Sequence, residues 1–430
     1  MRVLHVIDPV SPGGGACTLR LVADLVAAAS ECDHEVLLVG HGGHEALARS
    51  CGLHVRGVVP APGRLPMLAD RALSGVIRHM DRERRIDRFQ AWTLSSLLLL
   101  CKVVDPARVT GYLPIGPTTD LSLMQLRLRD RLSPRSITAA SAWIAAECAP
   151  LLGVDSGTIR IESPGVDPRA VFDDGSRRAS IRHGLAVDDG TFLVGLFSEP
   201  GSWADAWPAA NAAMRLQVMG RDVRVIVAPT VRRRPGTEAW LRDVGAGSAM
   251  IVDDAVMAPW TVLPALDAVL MPAGSAAPQP GIPGEPVSGS DVRGSAMRRV
   301  RASARWLVGS RGAARPCPGM LPLIWACAAA VPIVADDVPG VRAVIEEGVT
   351  GLLVPSGHYV RAADHLCRLV DDPVLRGRLG AAARSAAHRR FGMMRFVQAW
   401  RDDHAAPRPG YRGSASEAGH GVSGSSAGYQ

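Results

Sequence analysis

The chain has 430 residues, 47% hydrophobic and 21% charged, with a mean hydropathy of +0.11. That length predicts two or three domains and excludes a single small module; that composition excludes a disordered or fibrous protein. The net charge of +7 is concentrated: residues 274–316 hold seven arginines against Glu285 and Asp291, a net of +5 that leaves +2 for everything else. The basic pI of 9.3 therefore reports one segment and not a nucleic-acid-binding surface.

In chain order, residues 3–8 read as a first strand, Gly13 to Gly15 as the turn after it, and 17–30 as a helix with Leu19, Val22 and Val26 on one face. Strands follow at 36–40 and 54–59, then a charged amphipathic helix at 68–85, a strand at 86–92 leading into another helix, a strand at 136–140 and a helix at 142–152. The longest apolar run, within 91–104, is broken by Ser95, Ser96 and Lys102 and is too short to span a bilayer. This alternation is the signature of βαβ units on a parallel sheet.

A turn-rich joint at 162–167 and a charged loop at 173–178 open a second series, with strands at 192–197, 223–228, 250–253, 268–272, 332–336 and 351–355. Both series predict an α/β protein of two Rossmann-like domains: an N-terminal one over 1–172 and a C-terminal one over 173–390. The second carries the basic, Pro/Gly/Ser-rich insertion 274–316. A terminal helix at 391–404 crosses back onto the first domain, and the Gly/Ser-rich tail 405–430 has nothing to pack and is expected to be disordered.

Eight cysteines (17, 32, 51, 101, 148, 317, 327 and 367) form no C-x-x-C pair, and several sit in apolar runs, so they read as buried thiols rather than a disulfide or metal framework. The amino terminus enters a strand pattern without a signal-peptide stretch, which predicts a cytoplasmic location. The glycine run at 13–15 suits a phosphate at a helix N-terminus. A dinucleotide site would also need an acidic residue ending the second strand, which instead ends Leu38, Val39, Gly40, His41, so NAD and FAD are not expected. Lys102 is the only lysine and lies outside any P-loop pattern.

The most informative stretches are PGMLPLIWACAAAVPIVAD at 318–336 and PGVRAVIEEGVTGLLVP at 339–355. They resemble the carboxy-terminal domain of the group 1 (family 4) retaining glycosyltransferases of the GT-B fold, whose pattern runs EGFPLxxxEAMACGVPVVA and then DGxTGLLV. PGVD at 164–167 is similar to that family's NGVD joint, LDAVLMP at 266–272 to its ADVxxxP strand, and LVDDPVLRGRL at 369–379 with RRF at 389–391 to its closing helices. The resemblance implies two parallel-sheet domains facing a cleft, a nucleotide-sugar donor on the second, a glycan or lipid-linked acceptor on the first, retention of anomeric configuration, and no metal or other cofactor. It makes Gly14, Gly15, Gly165, Ser198, Glu199, Gly319, Met320, Leu321 and Asp336 the donor-side candidates, and Trp92 and Gly116 the acceptor-side ones.

The chemistry departs from the pattern. The family's two donor-side glutamates fall on Cys317 and Trp325, neither of which holds charge against a developing oxocarbenium ion or accepts from a ribose hydroxyl as a carboxylate does. The Arg and Lys that neutralise the leaving diphosphate are missing from GLFSEPGSW at 195–203, and the acceptor-side histidines from QAW at 90–92 and GYLPIG at 111–116. Glu199, Asp336 and Arg234, the last within the arginine run 232–234, are the nearest substitutes. Two function classes follow: a glycosyltransferase that has replaced these groups, or a degenerate GT-B protein that binds a partner. Within the insertion, Met297, Val300, Ala304, Leu307 and Val308 lie opposite Arg298, Arg299, Arg301 and Arg305. Residues 293–308 read either as a solvated flap or as a helix lying on the anionic inner face of the membrane. Two geometric expectations close the reading: Gly165 sits where the domains meet, and the Trp325 indole points toward the ribose position and fills part of that pocket.

Overall fold

The computed structural model describes residues 1–8, 12–40, 42–60, 66–116, 134–171, 175–197, 207–227, 242–243, 247–253, 258–272, 320–356 and 358–405. The insertion 274–316 and the tail after 405 lie outside them.

Seven strands form one sheet: β1 Arg2–Ile7, β2 Asp33–Gly40, β3 Val55–Pro60, β4 Arg88–Ala91, β5 Val109–Leu113, β6 Ser136–Ala139 and β7 Arg160–Ile161, in the spatial order β3-β2-β1-β4-β5-β6-β7. Six more form a second: β8 Phe192–Leu196, β9 Val223–Val227, β10 Met250–Val252, β11 Ala268–Met271, β12 Ile333–Asp336 and β13 Leu352–Val354, in the order β10-β9-β8-β11-β12-β13. Every pairing is parallel. Helices therefore cover both faces, and Phe192–Leu196 and Ala268–Met271 are buried throughout, which is why the sequence shows unbroken apolar runs instead of alternation.

The first helix, Pro12–Ala28, corrects the reading of the glycine run as a preceding turn. Proline has a φ already suited to a helix and no N–H to leave unpaired, so the helix opens at Pro12 and Gly13 to Gly15 form its first turn. The sequence pattern also does not predict β5, where Thr110 and Gly111 interrupt the apolar residues. Gly111 leaves room there for the Leu97 side chain, whose Cδ2 would stand 2.9 Å from a Cβ.

Between the sheets, the Val166 N–H donates to the Phe391 carbonyl at 2.9 Å and Val166 bridges Gly392. A Cβ on Gly165 would stand 2.7 Å from Met393 Cα and 2.8 Å from Phe396 Cβ. The terminal helix, Met393–Ala405, then lies on the first sheet. Arg401 pairs with Glu31 at 2.6 Å, Asp403 accepts from Thr138 at 3.0 Å and from Arg160 at 2.8 Å, and Arg395 pairs with Glu162.

Candidate functional site

In an open parallel sheet, ligands bind beyond the carboxyl ends of the strands where the strand order reverses. That place lies between β1 and β4 in the first sheet and between β8 and β11 in the second. Asp8 stands directly after β1, before the helix whose first turn holds Gly14 and Gly15. Desolvation pushes the Asp8 carboxyl up to about 6. A carboxyl with a raised pKa in that position is a candidate functional group.

Directly after β4, the indole of Trp92, an acceptor-side candidate, is fully buried, and its Nε1–H donates to His5 Nδ1 at 3.1 Å. The chain of bonds continues inward. His34 Nε2 faces the Ala29 carbonyl at 2.9 Å, which only accepts, so that nitrogen carries the proton and His34 Nδ1 accepts from His5 Nε2 at 2.9 Å. His5 Nδ1 is thereby the lone pair that Trp92 requires, and both rings are neutral and fully bonded. Burial holds His5 well below its ordinary pKa, helped by His34 and His404, and lowers His34 as well. Trp92 is thus the floor of the first unit. Gly116, half-buried beyond β5, keeps its place among the acceptor-side candidates.

On the second sheet, Met320 and Leu321 open the helix Met320–Ala328 with side chains in the core. Asp336 ends β12, is buried, and accepts from Ser356 Oγ at 3.2 Å. Gly165 lies at the joint, where its missing side chain makes room for the terminal helix. Asp267, within the LDAVLMP stretch, is structural too, accepting from Arg178 at 2.7 Å, from Arg182 at 3.3 Å and from the Leu193 N–H at 2.8 Å. Ser198, Glu199, Gly319, Cys317 and Arg234 fall outside the described residues.

Trp325 is fully buried, with its ring 6.1 Å from that of Trp260. Arg20, from the first helix, places its guanidinium 5.9 Å from the Trp325 ring centre and 5.7 Å from that of Trp260. The indole therefore lies between the two α/β units and not in an open pocket. The sequence missed Asp8, although a carboxylate ending the first strand ahead of a glycine run was a legible signal. Arg20 and Trp260 gave none, being joined to Trp325 only by the fold.

The glycosyl transferases group 1 family model matches residues 321–386. Over 52 residues the chain is 48% identical to an alpha-D-kanosaminyltransferase of Streptomyces kanamyceticus, and over 67 residues 42% identical to a phosphatidyl-myo-inositol mannosyltransferase of Mycobacterium leprae. These segments are 12% and 16% of this chain and span only 14% and 18% of the relatives' lengths. Across the whole chain the likeness is structural. Anabaena HepE in complex with UDP-glucose superposes with a TM-score of 0.67 at 17% identity, covering 94% of this chain and 98% of that one. The fold is GT-B. WaaG, a glycosyltransferase of lipopolysaccharide biosynthesis, shares it with a TM-score of 0.61 at 12% identity, over 95% of this chain and 100% of its own. Within the GT-B architecture, the group 1 match begins in the helix Met320–Ala328 and ends in the helix Pro373–Arg390. Among the described residues no helix is long and apolar enough to cross a membrane.

Proposed function

We propose that the protein transfers a sugar, with retention of configuration, from a nucleotide-sugar bound at the carboxyl ends of the second sheet to an acceptor held by the first, in domains spanning 1–172 and 173–390. The observation that carries this reading is the group 1 segment lying at the binding edge of a GT-B fold, because a fold by itself does not fix a function. The UDP-glucose in the HepE structure supports a nucleoside diphosphate sugar as donor. In this reading the first-turn N–H groups at Met320 and Leu321 hold donor oxygens, and Asp336 and Glu199 supply the carboxylates absent at Cys317 and Trp325. Arg234 supplies the cation. Asp8 holds the acceptor hydroxyl, its raised pKa suiting it to take a hydrogen bond or a proton near neutral pH. No metal or further cofactor is needed. The reading places the protein in the cytoplasm, with 293–308 against the inner membrane face where the acceptor is lipid-linked.

Calorimetric titration with UDP, GDP and ADP tests it. Micromolar binding of one nucleotide is expected. Binding of none would overturn the reading and leave a GT-B scaffold that serves a partner.

A further inference from the structure

The contact between Arg20 and the two tryptophans joins parts of the chain that belong to different sheets. Arg20 lies on the helix that follows β1; Trp325 lies on the helix that leads into β12, and Trp260 in the short helix Pro259–Val262 ahead of β11. The guanidinium is 5.7 and 5.9 Å from the two ring centres, within the range at which a cation is drawn to an aromatic face. The surroundings strengthen the attraction. Trp325 is 0% and Trp260 7% exposed, while the Arg20 side chain is 25% exposed, so little water screens the charge. Asp24 fixes the arginine from behind, accepting from Arg20 Nε at 2.9 Å.

Two further atoms mark this spot as a place where the units meet. Trp325 Nε1 and Asp24 Oδ2 are both buried, and neither finds a partner among the described residues. An unpaired donor on one unit and an unpaired acceptor on the other side of Arg20 are costly in a rigid interior.

We propose that Arg20 is a positioning residue, a cationic bolt that grips Trp260 and Trp325 and sets the closure of the two α/β units. Trp325 then replaces a carboxylate without serving a ligand: the position has passed from contacting a donor to holding the cleft at a fixed width. The inference does not depend on glycosyl transfer, and its test uses neither donor nor acceptor.

The experiment is small-angle X-ray scattering on the full chain, comparing wild type with Arg20→Ala, Arg20→Lys, Asp24→Asn and Trp260→Leu. Arg20→Ala should raise the radius of gyration and the maximum dimension. Arg20→Lys keeps a cation near the rings but loses the planar guanidinium, and should recover only part of the wild-type compaction, a partial rescue that loss of simple packing would not show. Asp24→Asn removes the charge but keeps a side-chain oxygen that accepts from Arg20 Nε, so the arginine stays held and the chain should stay compact. Trp260→Leu attacks the bolt from the second unit and should open it in part, which keeps the test decisive if Arg20→Ala does not fold. A wild-type curve for both Arg20→Ala and Trp260→Leu would overturn the proposal, as would opening of Asp24→Asn to the same extent as Arg20→Ala.

Discussion

Gly380 packs so closely on Ala330 that a Cβ at position 380 would stand 2.1 Å from the Ala330 carbonyl oxygen. The contact seats the helix Pro373–Arg390 against the end of the helix Met320–Ala328, just where the chain turns into β12. Ala330 makes that turn with φ +59°, in the left-handed region, while its N–H reaches the Cys327 carbonyl at 3.0 Å and the Val331 N–H the Ala326 carbonyl at 3.0 Å. This is the position at which the resemblance pattern carries glycine.

Three substitutions separate the effects. Ala330→Gly should stabilise the protein by about 1 kcal/mol, since a left-handed residue with a Cβ costs ~1–2 kcal/mol. Gly380→Ala should destabilise it by about 1–3 kcal/mol through overpacking against backbone. Gly377→Ala, on the same helix with nothing within 4 Å, should stabilise by ~0.5–1 kcal/mol through helix propensity. Chemical denaturation at neutral pH reads all three. A wild-type midpoint for Gly380→Ala would disprove the close approach.

His404 gives an acid limb to stability. Burial holds it down at about 4, while its Nδ1 donates to the Trp400 carbonyl at 2.8 Å and its ring lies tilted by 34° against that of Trp400 with centres 4.1 Å apart. In the unfolded chain a histidine titrates near ~6.5. Between those values the unfolded state binds the proton that the native state refuses, so stability is complete above about 6.5 and falls as the pH drops toward 4. The loss from His404 alone is about 3 kcal/mol at ~1.36 kcal/mol per pKa unit. His404→Gln should be less stable than wild type at pH 7 yet lose less between pH 6.5 and 4, as read by urea denaturation across that range. An unchanged slope would show that His404 is not the buried neutral group described.

Asp8 has the opposite sign. Its folded pKa of about 6 lies above the unfolded value of 3.8, so the native state holds the proton more tightly, and that contribution is lost as the pH rises through 6. At pH 7 the carboxylate is charged in both states and its burial costs at most about 3 kcal/mol. Asp8→Asn should therefore raise stability at pH 7 and leave it unchanged below about pH 4, while lowering transfer to the acceptor. Such a trade of stability for activity is characteristic of functional carboxyls. Equal stabilisation at pH 7 and pH 3.5 would show that desolvation of the charge is not the cause.

The sequence by itself determined the α/β class and, β5 apart, the order of the strands. Those features are written in local apolar runs and turn residues, and a parallel sheet buried on both faces demands apolar strands such as those at 192–196 and 268–271. It also carried the resemblance at 318–336 and 339–355, where the motif and the helix that holds it are contiguous. Tertiary structure alone decided what the side chains in those positions do. Trp92 ends a strand at the binding edge, yet its indole turns inward because His5, on the neighbouring strand, offers the acceptor its N–H needs. Gly165 reads as a turn beside a ligand, but the terminal helix, more than two hundred residues later, is what leaves no room for a Cβ. Trp325 reads as the loss of a carboxylate, and only the fold brings Arg20 and Trp260 to its ring. Burial and pairing of this kind depend on segments far apart in the chain, and no local pattern encodes which of them will meet.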